Sequence, residues 1–178
     1  MHLKEIINLI DTTYLSNNAK ERIIDKFDSD QYKFWNQITK NKIIESKKLL
    51  NDSTGQNLAF TYVQDLTEKT ESANFLDLFY VQKSYLGPFV TFYVLSRVYR
   101  NIGDEKMIMY SDNIICESKG KFKTYFDENW NYLKSHYPDL IYIPFGLLNI
   151  IPNNAKNYKL KQNCNIYELL FGLSLIHI

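Results

Sequence analysis

The chain has 178 residues, 45% of them hydrophobic and 23% charged, which is the composition of one ordinary folded domain and excludes a disordered chain. Its 21 basic and 20 acidic side chains leave a formal net charge of +1, so there is no broad electrostatic footprint for nucleic acid or an anionic membrane. No window reaches the ~18 consecutive apolar residues of a membrane span, and MHLKEIINLI lacks the apolar run of a signal peptide, so a cytoplasmic location is expected.

Leu3, Ile6, Ile7 and Ile10 recur at helical spacing and predict a first helix. Ser16, Asn17 or Asn18 offers a cap for a second, carrying Ile23, Ile24 and Phe27. A third opens at Asp28, Ser29 or Asp30, sets Phe34, Trp35, Ile38, Ile43 and Ile44 along one face, and ends at the turn residues of NDSTG, from Asn51 to Gly55. The hydrophobic period then changes from 3.6 to 2. LAFTYVQDL from Leu58, NFLDLFYVQ from Asn74, the stretch from Ser84 to Arg100 and MIMYSDNIICES from Met107 read as four strands. The last three are separated by turns at Leu86-Gly87-Pro88 and Asn101-Ile102-Gly103-Asp104, the pattern of an antiparallel meander. Phe122, Tyr125, Phe126, Trp130 and Leu133 predict a covering helix that Pro138 stops. Leu140–Ile143 is a short strand, CNIYELLFG from Cys164 another short apolar element, and the tail GLSLIHI is expected to pack on the domain.

This order gives one α+β domain over residues 1–178, helical over 1–52 and sheet-containing over 56–178. N-terminal helices pack on one face of a four-stranded antiparallel meander, with a covering helix and short C-terminal elements.

His2, His136 and His177 are far apart, and no HExxH or paired CxxC occurs, so no metal is expected; His136, ending a helix, suits its negative C-terminal end. The six glycines form neither a P-loop nor GxGxxG, and no cofactor is expected. Cys116 and Cys164 sit in apolar surroundings and read as small buried thiols. Carboxylates are the remaining catalytic candidates, in a hydrolase whose acids (Asp77, Glu117, Asp127, Glu128 and Glu168) would converge only in the fold. Asp77, mid-strand in LDLFY, reads more simply as pairing with Arg97 on the neighbouring strand. No catalytic residue is assigned.

The stretch SYLGPFVTFYVLSRVYR divides into two faces by strand alternation. Val90, Phe92, Val94, Ser96 and Val98 suit packing beneath a helix. Phe89, Thr91, Tyr93, Leu95, Arg97 and Tyr99 form an amphipathic face, and Tyr and Arg are the side chains enriched at interface hot spots. Two outcomes stay open for that second face: a partner covers it, or the C-terminal segment LIYIPFGLLNIIP does.

The aromatic strand LGPFVTFYV, the helix FDENWNYLKSHYPD, the strand LIYIP and the terminal CNIYELLFG together resemble small cytosolic proteins of Bacteroidetes-type genomes encoded beside secreted polymorphic toxins, many taken to be immunity proteins. The resemblance spans residues 75–172 and implies a bacterial, cytosolic binder that neutralises a toxin without catalysis. The near-neutral charge favours a toxin other than a nuclease, since inhibitors of nucleases are frequently acidic. The expected function is therefore a non-enzymatic protein-binding module of the immunity type, binding its protein partner through Phe89, Tyr93, Arg97 and Tyr99 with Asp77 in support. Its rivals are the small hydrolase and a structural subunit that homodimerises through the same face.

Overall fold

A computed structural model describes residues 3–15, 30–45, 49–51, 59–67, 74–102, 106–115, 120–151 and 165–171. Two N-terminal helices, α1 (Leu3–Leu15) and α2 (Asp30–Glu45), precede the sheet. Asp30 places a carboxylate at the positive end of α2. One turn on, Trp35, Ile38 and Thr39 share the face that turns inward, and the Thr39 hydroxyl donates to Trp35 O at 2.7 Å, so a buried polar group is satisfied within the helix. The predicted second helix around Ile23 and the tail GLSLIHI lie outside the described residues, as do Cys116 and Cys164.

The strands are β1 (Leu49–Asn51), β2 (Ala59–Asp65), β3 (Asn74–Ser84), β4 (Phe89–Ile102), β5 (Lys106–Ile115) and β6 (Ile141–Tyr142). The first five pair antiparallel in chain order, and β6 pairs parallel to β4. The sheet is thus mixed and six-stranded, which corrects the expectation of a purely antiparallel four-stranded one. β1 takes the end of the expected third helix, which stops at Glu45 instead, together with Asn51 of the expected turn, and three residues are too few to show a period. β6 joins for a reason of backbone satisfaction. β5 pairs with β4 only from Val94 onward, leaving the first residues of β4 without a neighbour on that side. Ile141 N donates to Pro88 O at 2.7 Å and Ile143 N to Val90 O at 2.8 Å, so β6 fills that gap.

Register assigns every strand residue to a face. Phe60 and Tyr62 of β2, Phe79 and Val81 of β3, and Phe92 and Val94 of β4 lie on one side. Over them pack α2, whose Trp35 stacks on Phe60 and Tyr62, and α3 (Lys123–His136), whose Phe126 meets Phe79 and Phe92 edge-on. The Tyr62 hydroxyl reaches Asn129 Oδ1 at 2.5 Å, tying sheet to helix through a polar contact inside the aromatic layer. The opposite side is covered near the start of β4 by the C-terminal segment, in which α4 (Phe145–Leu148) leads to α5 (Ile166–Leu170).

A five-residue helix does not persist alone, because nucleation fixes several residues for one hydrogen bond. α5 is held by its ends and its apolar side chains. Asn165 Oδ1 accepts from Glu168 N, and Glu168 Oε2 accepts from Asn165 N, both at 2.9 Å, which is a capping box. Ile166, Leu169, Leu170 and Phe171 are each 0% exposed. Asn165→Ala is expected to cost ~1 kcal/mol in urea unfolding, and an unchanged midpoint would show that the box contributes nothing.

Candidate functional site

The sequence-predicted surface is divided by the fold. Phe89 is 0% and Tyr93 4% exposed, while Arg97 and Tyr99, farther along the same face, are half-buried. Tyr93 stacks on Tyr80 across the β3–β4 pair, with ring centroids 4.8 Å apart and 7° between planes. Tyr167 of α5 lies over this region and hydrogen-bonds to Gln82 and Tyr93; burial raises its pKa. α5, which lies beyond the segment LIYIPFGLLNIIP named above, therefore covers this face at Tyr93.

Asp77 belongs to the other face. Its register partner is Ser96, whose hydroxyl donates to Asp77 Oδ1 at 2.5 Å, and Lys121 Nζ donates to Oδ2 at 2.7 Å. The expected Asp77–Arg97 pair is thus corrected. Residues directly opposite share a face, and Arg97 sits opposite Leu76 and Asp112 instead. With Asp77 1% exposed and Lys121 largely in solvent, the lysine caps a carboxylate that the helical layer has buried.

A second charged residue sits on that same buried phase. β3 runs Phe79, Val81, Lys83 toward the helices, and Lys83 is only 5% exposed. Its Nζ donates to Ser84 O at 3.1 Å and lies 5.0 Å from the Tyr137 ring centroid and 5.6 Å from that of Phe60. Ring faces stabilise a cation, but an ammonium has three donors and here meets one carbonyl. Among the described residues no carboxylate forms an ion pair with it. Burial lowers its pKa to about 8.

The surroundings make this a site. β3 ends at Ser84, the bend at residues 85–88 carries the chain to β4, and α3 ends against the same corner. Between them opens a pocket of about 450 Å³, lined by Lys83, Tyr85, Leu86, His136, Tyr137 and Leu140 among others. The Tyr137 hydroxyl is buried without a hydrogen-bond partner among the described residues, and burial pushes its pKa up. His136 Nδ1 lies 2.9 Å from Tyr132 O. Ser135 Oγ lies 3.1 Å from the same nitrogen, so the imidazole sits among groups at the end of α3, where the sequence expected it. Beside this lining Phe34 of α2, 37% exposed, packs edge-on against Tyr137 at 5.2 Å and 81°.

A second concavity of about 330 Å³ lies along α3, lined by Phe92, Phe126, Trp130 and Tyr142 with Asp127 at its edge. Its charges are already engaged: Lys123 pairs with Asp127, and Lys134 Nζ lies 5.5 Å from the Trp130 ring centroid. Among the described residues no group of three or more His, Cys, Asp or Glu side chains could hold a metal ion, and no helix is long and apolar enough to cross a membrane.

No family model, curated protein or solved structure matches the chain. The geometry of the Lys83 corner therefore carries the functional reading. Sequence reasoning passed over Lys83 and Tyr137. A signal existed in the strand phase, because Asp77 and Lys83 are the charged residues in the register of Phe79 and Val81.

Proposed function

We propose that the chain is a non-catalytic protein-binding module of the immunity type, and that it engages its partner at the mouth of the Lys83 pocket. The observation that carries this reading is Phe34, an aromatic ring left 37% exposed beside a pocket lined by Lys83, a buried cation with no ion pair among the described residues. Interface hot spots combine these features: an aromatic anchor, a pocket that excludes water, and a charge that a partner completes. The partner is accordingly a protein that presents an acidic side chain within an apolar patch. Arg97 and Tyr99, half-buried in the second half of the β4 face, are assigned no contact.

Co-expression with the product of the adjacent open reading frame tests the proposal. A complex of defined stoichiometry is expected, weakened at least ~30-fold by Phe34→Ala, the equivalent of a hot spot of about 2 kcal/mol. The same substitution should change folding stability by less than about 1 kcal/mol, as for other surface positions. Absence of a complex, or a complex indifferent to Phe34→Ala, would refute this surface as the interface. A protein that sediments as a dimer through Phe34 would replace the proposal with the homodimeric one.

A further inference from the structure

We infer that the Lys83 pocket is a receptor for a single carboxylate group, with Lys83 and Tyr137 as its donors and apolar walls for the body that carries it. The inference deepens the reading above and depends on it only for the claim that a protein side chain supplies the carboxylate. Three independent observations converge. Lys83 Nζ is buried with one carbonyl acceptor and no ion pair among the described residues, so its remaining donors face ring surfaces or the pocket. The Tyr137 hydroxyl, on the ring that Lys83 approaches, is a second buried group without a hydrogen-bond partner among the described residues. The space beside them, about 450 Å³, is large enough for a ligand of drug-fragment size.

The chemistry of the walls narrows the ligand. A phosphate dianion calls for several donors, from arginines or a glycine-rich nest of backbone N–H groups. The pocket holds one ammonium and no arginine, and exposed Asp139 at its rim adds a like charge that opposes a dianion. Its other titratable groups are Tyr85, Tyr137 and His136, whose Nδ1 lies near Tyr132 O and Ser135 Oγ. Leu86, Pro88 and Leu140 with the aromatic rings supply apolar contact, which suits a monoanion attached to an apolar or flat body. α3 ends at the same corner, where its last residue His136 and the following Tyr137 line the pocket.

Benzoate is the probe, with benzamide as its neutral counterpart of the same shape and inorganic phosphate as the competing anion class. The readout is the lysine ε-CH₂ signal of Lys83 in NMR titrations of the full chain, assigned by its loss in Lys83→Met. Benzoate is expected to shift that signal saturably and to raise the pH at which Lys83 titrates, while benzamide and phosphate do neither. Lys83→Met should lower benzoate affinity by at least ~10-fold and Tyr137→Phe by several-fold, as for removal of charged and neutral hydrogen-bond donors. No saturable shift, equal binding of benzamide, or undiminished binding to Lys83→Met would each overturn the inference. A partner complex that forms normally with Lys83→Met while benzoate fails would sink the carboxylate site alone. Benzoate binding with no protein complex would sink the protein partner alone.

Discussion

Tyr93→Ala is expected to remove ~3–5 kcal/mol of folding stability, the range for truncating a large aromatic side chain in a packed interior. On sequence grounds Tyr93 is a binding residue whose loss should change stability by less than about 1 kcal/mol. The structure places it differently, at 4% exposure, stacked on Tyr80 and hydrogen-bonded to Tyr167 of α5. Truncation would open a cavity between the sheet and the C-terminal helix and leave the Tyr167 hydroxyl short of a partner. Equilibrium urea unfolding gives the number directly. Arg97→Ala, on the same face but half-buried, serves as the internal control and should cost well under half as much. A Tyr93→Ala loss below about 1 kcal/mol would mean that the C-terminal segment does not cover this face in solution.

The second large effect is on alkaline stability. Lys83 has its pKa lowered by burial from 10.5 to about 8, so between those values the unfolded chain holds a proton that the native state has released. Stability must therefore rise with pH across that window, by as much as roughly 3 kcal/mol for a shift of this size. Tyr62, Tyr137 and Tyr167 act in the opposite sense. Burial raises each of their pKa values, so above about pH 10 unfolded tyrosines ionise while the native ones do not, and stability falls. Urea unfolding from pH 7 to 11 should accordingly show a maximum near pH 9–10. Lys83→Met should flatten the rise and stabilise the protein by ~1–3 kcal/mol at pH 7, because a buried ammonium gives way to an apolar chain of similar length. A rise that persists in Lys83→Met would assign the titration to another group.

How much of this was legible beforehand depended on the range of the interaction. Helical spacing found α1 and the aromatic face of α3, and alternation with turn residues found the run from β2 to β5, because both signals lie within a few adjacent residues. His136 at the end of α3 was legible for the same reason. β6 was expected as a strand, but its parallel place beside β4 was not, since that pairing is set by how far β5 extends. Strand alternation placed Asp77 and Ser96 on definite phases of their own strands. The β3–β4 register, which sequence does not print, decided that Asp77 meets Ser96 and not Arg97.

The candidate site shows the same division more sharply. By itself the sequence determined a mixed helix-and-sheet domain, an aromatic β4 with one face for helices, and the poverty of local catalytic motifs. Local period, turn chemistry and residue spacing suffice for each of those. Only the tertiary structure decided that Tyr93 is covered by α5, and that Lys83 from β3, Tyr137 after α3 and Phe34 from α2 meet at one corner. Those three side chains come from separate elements distant along the chain. Their meeting depends on how helices cross the sheet, and burial of a charge has no signature in a sequence until the layer above it is known.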